Sequence, residues 1–148
     1  MVSFMKRFDA KTYALLRVVA GFFFLCHGMQ KLFGFPAAAP EAPAFIIYVA
    51  GLIELVGGAL IMIGLLTRWA AFICAGQMAV AYWLVHGTEA VFPLVNGGEL
   101  AALYCFVFLF ISAYGPGIWS VDEARGRSTE ARPAAAFDED GPVRPFSS

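Results

Sequence analysis

The sequence predicts an all-α integral membrane protein, a four-helix bundle of membrane-spanning segments. Three observations carry that expectation. Hydrophobic residues make up 60% of the chain and charged residues only 14%, whereas soluble domains hold roughly half and a quarter. Four apolar runs, at 12–33, 44–66, 69–86 and 98–114, each approach the roughly 20 helical residues that cross a hydrocarbon core of about 30 Å. Polar residues inside these runs lie beside small ones, the composition of helix contacts within a membrane.

Taken in order, residues 1–11 form a basic cytoplasmic leader carrying Lys6, Arg7 and Lys11. The first run is longer than a signal-peptide core, and Gln30 and Lys31 separate it from Ala37–Ala39, so it reads as a retained span. Gly34–Pro43 contains three prolines and must be a loop. Arg68 sits in a tight turn between the second and third spans, and Gly87–Gly97 carries Glu89 and no basic residue. Lys6, Arg7, Lys11, Arg68, Arg125 and Arg127 fall on one side and only Lys31 on the other, which puts both termini in the cytoplasm. From 121 to 148 the composition turns to Ala, Pro, Arg, Asp and Glu, that of a disordered cytoplasmic tail.

Several function classes are excluded at this level. A net charge of −1 leaves no basic stripe for nucleic acid. Cys26, Cys74 and Cys105 are odd in number, lack CxxC spacing and lie in apolar runs, so no metal site is expected and they read as small buried hydrophobes. A Cys26–Cys105 redox pair would need Cα atoms within about 7 Å, which periodicity cannot establish.

Ionisable groups inside a span are costly unless they face a partner or water. By rise per residue, His27 lies about 22 Å above the inner end of the first helix and Glu54 about 18 Å above that of the second, heights at which the two can meet. Lys31, His86 and Glu99 fall within about 3 Å of the outer ends, a shallower layer. Arg17 sits near the inner surface, where its side chain can snorkel. Ala50, Gly57 and Gly58 surround Glu54 and aim it at another helix, and Ala70, Cys74, Gln77 and Ala81 make a similar stripe on the third helix. A carboxylate beside an imidazole suits proton-coupled chemistry, such as quinone or quinol handling, where a carbonyl or hydroxyl needs both a donor and an acceptor. The same residues also serve as interhelical hydrogen bonds that only hold the bundle together.

In five motifs the chain resembles the DoxX family of small four-span membrane proteins. They are the segment Arg17–Lys31 ending in His27-Gly28-Met29-Gln30-Lys31, the Gly51–Gly58 stretch around Glu54, the Gly64–Arg68 turn, Asn96-Gly97-Gly98-Glu99, and Gly115–Asp122. Residues 12–120 form the domain so identified. The resemblance implies a four-helix membrane fold and a link to quinol oxidase and thiosulfate:quinone oxidoreductase subunits. Val121 stands where the exit motif favours leucine or isoleucine.

The expectation is a multi-pass protein of a bacterial-type inner membrane, a small subunit or accessory of a quinone-linked redox system. His27 and Glu54 are its candidate catalytic pair, with Gln30, Lys31, His86 and Glu99 as binding residues. Quinone is the candidate cofactor. The bilayer surrounds it, and a redox enzyme or a second copy is the candidate partner. The alternatives are a non-enzymatic scaffold and a small-solute or proton conductor.

Overall fold

A computed structural model describes residues 6–88 and 90–126. Among the described residues there is no strand, and the α-helices are α1 (Asp9–Phe33), α2 (Ala44–Ile63), α3 (Thr67–Ala81), α4 (Pro93–Asn96), α5 (Glu99–Tyr114) and α6 (Val121–Ala124). A 3₁₀ turn at Lys6–Phe8 leads into α1, and a π-helical turn at Tyr82–His86 prolongs α3. Lys6–Phe33, Ala44–Ile63 and Thr67–His86 are long and apolar enough to cross a membrane. α5 is apolar but has 16 residues, a rise of about 24 Å.

The helix ends follow local chemistry. Gly34 closes α1 and Gly64 closes α2, both in the left-handed conformation, at φ 64° and 71°. Because Gly64 stops α2 at Ile63, the second span ends three residues before the expected Leu66, and α3 begins at Thr67 instead of Trp69. Pro43 precedes the first turn of α2, where its missing N–H costs nothing.

α1 runs from the base of the bundle, where the described chain enters and leaves, to the crown, which carries the 34–43 and 87–98 connections. α2 returns, α3 rises and α5 descends. α1 packs along α2 and α3 along α5, while α2 and α3 join the two pairs. Glycine sets the first contact: a Cβ on Gly21 would come within 2.8 Å of the Gly58 carbonyl oxygen, and one on Gly58 equally close to that of Gly21. The two backbones therefore touch, as small residues permit in a membrane bundle. α1 and α5 scarcely approach, and aromatic rings fill the seam between them. Phe24 lies 4.7 Å from Phe108 and 5.5 Å from Tyr104, centroid to centroid, with Phe24 and Phe108 fully buried.

Polar side chains lock the base. Arg17 is 0% exposed. Its guanidinium donates to the carbonyls of Ile61 at 2.8 Å, Met62 at 2.9 Å, Trp119 at 2.8 Å and Ile118 at 3.3 Å. The expected snorkelling arginine is instead a buried cap on the last carbonyls of α2, a partner a helix C-terminus offers only at short range. Arg68 does the same for α5, donating to the carbonyls of Ser112, Ala113 and Tyr114. The hydroxyl of Tyr13 donates to the Gly115 carbonyl.

Residues 121–126 also differ from expectation. Their composition predicts the start of a disordered tail, yet α6 folds against the base, because Ser120 caps it and Asp122 is buried. The Asp122 carboxylate accepts from the N–H groups of Leu66 and Thr67, each at 3.0 Å, and from the Thr67 hydroxyl. It thereby caps the otherwise unpaired first turn of α3. The rest of the expected tail, with Arg127, and Glu89 of the crown loop lie outside the described residues.

Candidate functional site

Halfway along α2, one helical turn on either side of Glu54 carries glycine: Gly51 before it in sequence, Gly57 and Gly58 after. That groove lets α1 and α3 close in on the carboxylate. On α1 the contact is Gly28, where a Cβ would strike the backbone of Leu55. Lys31, three residues on, extends along this contact, and its Nζ lies 2.6 Å from Glu54 Oε2. On α3, Gln77 Nε2 donates to Glu54 Oε1 at 3.0 Å and more weakly to the Ala50 carbonyl at 3.4 Å. Glu54 is 2% exposed and the Lys31 side chain 19%. One buried acid thus ties three helices together, with charge neutralised at contact distance.

His27 does not make the direct bond to Glu54 that depth alone suggests. Successive residues turn about 100° around a helix, so with Gly28 pressed on α2 the imidazole swings away, whereas Lys31 lies only about 60° off that direction and has the longer reach. His27 is half-buried, with its ring edge-on to Tyr104 at 6.2 Å, inside the α1–α5 seam. It remains on the same side of α1 as Lys31.

The other sequence-selected residues disperse. Gln30 donates to the Ala38 carbonyl at 3.0 Å and holds the 34–43 connection. His86 Nδ1 lies 2.9 Å from the Asn96 carbonyl oxygen and holds the 87–98 connection, helped by Asn96 Nδ2 on Ala90 and the Tyr82 hydroxyl on Val91. Glu99 is exposed at the start of α5, where it borders an open groove of about 660 Å³ with Pro93, Leu100, Leu103 and Phe106. These three belong to the crown and do not join Glu54.

Two residues of the site are not singled out by the sequence. Gln77 stands in the small and polar stripe of α3, and that stripe is its signal. Tyr104 carries none, because one tyrosine in an apolar run has no distinguishing periodicity. Among the described residues no three His, Cys, Asp or Glu side chains group as they would around a metal ion. Cys74 is buried under Gly57, while Cys26 and Cys105 are half-buried free thiols. Chemically, the cluster offers one carboxylate, an ammonium with N–H groups beyond the one spent on Glu54, and an amide whose Oε1 is buried without a hydrogen-bond partner among the described residues.

Comparison with known proteins adds family context. The DoxX family model matches residues 12–87. An uncharacterized protein of Haemophilus influenzae is 40% identical over 116 residues, covering 74% of this chain and 87% of its own length. "Inner membrane protein YqjF" of Escherichia coli is 29% identical over 80% of this chain and 95% of its own length. "Putative oxidoreductase CatD" of Bacillus subtilis is 40% identical over 68 residues, 43% of this chain and 50% of its own length. No solved structure matches the chain.

Proposed function

The chain belongs to the DoxX family of membrane proteins, and from that premise we propose that it is a small subunit or accessory of a quinone-linked redox system in a bacterial inner membrane. Quinone headgroups bind where a hydrogen-bond donor and a proton acceptor stand together at membrane depth, since two-electron reduction of the ring places a proton on each oxygen. The observation that carries the reading is the Lys31–Glu54–Gln77 cluster. Lys31 supplies N–H groups to a carbonyl oxygen, Glu54 is the proton-handling carboxylate, and the His27–Tyr104 contact lies beside them in the aromatic seam. The relative named as an oxidoreductase supports the direction. Electrons pass between the quinone and a partner enzyme, the role left to a subunit of this size. Lys6, Arg7, Lys11 and Arg68 at the base, against Lys31 at the crown, support cytoplasmic termini.

Binding of a short-tailed benzoquinone to the purified full-length protein, native and Glu54→Gln, tests this. Saturable binding weakened by the substitution is expected; equal, negligible binding in both refutes it.

A scaffold role has its own supporting observation. Arg17, Arg68 and Asp122 are all spent on helix ends, so this sequence uses buried charge as fastening. If Glu54 belongs to that set, Glu54→Gln lowers thermal stability in detergent and leaves copurifying partners and quinone affinity unchanged.

A further inference from the structure

The hydrogen bonds of the cluster decide which form of a ligand it prefers. Gln77 turns Nε2 toward two oxygens, Glu54 Oε1 and the Ala50 carbonyl, and neither can donate to the amide oxygen in its place. This fixes the amide orientation, because the flipped rotamer would set oxygen against oxygen. Lys31, 2.6 Å from Glu54 Oε2, holds that carboxylate as an acceptor. Consequently Gln77 Oε1 is directed elsewhere, and it is buried with no hydrogen-bond partner among the described residues. A buried acceptor of this kind is a deficit that a ligand donor removes, whereas another acceptor beside it is repelled.

The charges agree with this. Lys31 and Glu54 cancel, so the cluster does not favour an anion or a cation over a neutral molecule. Gln77 as a whole is only partly buried and the Lys31 side chain is 19% exposed, so both flanks of the buried acid reach the surface of the fold.

We infer that Gln77 is a specificity-determining residue, and that the Lys31–Glu54–Gln77 site takes a neutral ligand bearing a hydroxyl group, a hydroquinone in preference to the corresponding quinone. The hydroxyl donates to Gln77 Oε1, and its oxygen, or the one across the ring, accepts from Lys31 Nζ. The inference rests on the headgroup-site reading above and adds the redox form and the residue that selects it. Sites that hydrogen-bond a ligand hydroxyl discriminate against analogues lacking it far more strongly than apolar pockets do, because the site's own polar atom is otherwise stranded.

The experiment uses the full-length protein in detergent under anaerobic conditions, titrated with a short-tailed benzoquinone and separately with its hydroquinone. Native protein is expected to bind the hydroquinone at least about tenfold more tightly. Gln77→Met, similar in length and without an acceptor of comparable strength, is expected to bring the two affinities within about twofold. Equal affinities in the native protein overturn the inference while leaving the headgroup site standing, and this arm needs no variant to fold. A hydroquinone preference that survives Gln77→Met overturns the assignment to Gln77. Binding of neither form overturns both the inference and the reading beneath it.

Discussion

Removing Lys31 and removing Glu54 break the same contact, yet their costs should differ. In Lys31→Met the Glu54 carboxylate, 2% exposed, keeps the Gln77 amide as its one side-chain hydrogen-bond partner among the described residues. Stranding one member of a buried ion pair costs about 3–5 kcal/mol. In Glu54→Gln the oxygen of the new amide still accepts from Gln77 Nε2, which keeps its bond to the Ala50 carbonyl, and Lys31, whose side chain is partly exposed, can turn to the surface. Loss of one net hydrogen bond then sets the scale, about 1 kcal/mol. Thermal unfolding in detergent should show the lysine variant lower by roughly 6–12 °C, taking about 2–4 °C per kcal/mol for a chain of this size and about 3 kcal/mol of loss. The glutamine variant should fall by less than half of that. The double variant should resemble Glu54→Gln alone, since the stranded charge is gone, giving a coupling of about 3 kcal/mol, the whole cost of the lysine substitution. If Lys31→Met is no less stable than Glu54→Gln, the ammonium does not hold the carboxylate and the cluster is not built around that ion pair.

Other perturbations test the frame around the site. Gly58→Val drives a side chain into the Leu25 and Gly21 backbone and should cost at least about 2 kcal/mol, read by the same unfolding assay. Arg17→Met leaves the last carbonyls of α2 without their guanidinium and should destabilise by about 3 kcal/mol or more; Arg17→Lys recovers only part, because an ammonium cannot span both Ile61 and Trp119 as the planar fork does. Asp122→Ala removes the cap of α3 and should cost about 1–2 kcal/mol, visible also as faster amide exchange at Leu66 and Thr67. Gln30→Ala, at a crown tether, should leave quinone affinity within about twofold of native if its bond to Ala38 is its whole role.

Much of the fold is legible in the sequence because its causes are local. Apolar length marks the helices, proline and glycine mark their ends, and the small residues around Glu54 show that it turns inward. Boundaries slip by two or three residues where Gly64 adopts the left-handed conformation. The base escapes a sequence reading for a different reason. Arg17, Thr67 and Asp122 find partners 44 to 102 positions away in sequence, and no window of the chain reveals that Asp122 belongs to α3 instead of to a solvated tail. The site is half legible. Height along a helix places Glu54 and His27 at one level, but it is blind to rotation about the axis and to side-chain length. Those two omissions are why Lys31 and Gln77, and not His27, reach the carboxylate.

Photolabelling with an azido-benzoquinone, followed by peptide mapping, bears most directly on whether the buried charge cluster is a headgroup site. Label concentrated on peptides containing Lys31, Glu54 and Gln77, and displaced by excess hydroquinone, is the expected result. Label confined to the open groove at Glu99–Phe106, or spread without displacement over lipid-facing residues, would contradict it.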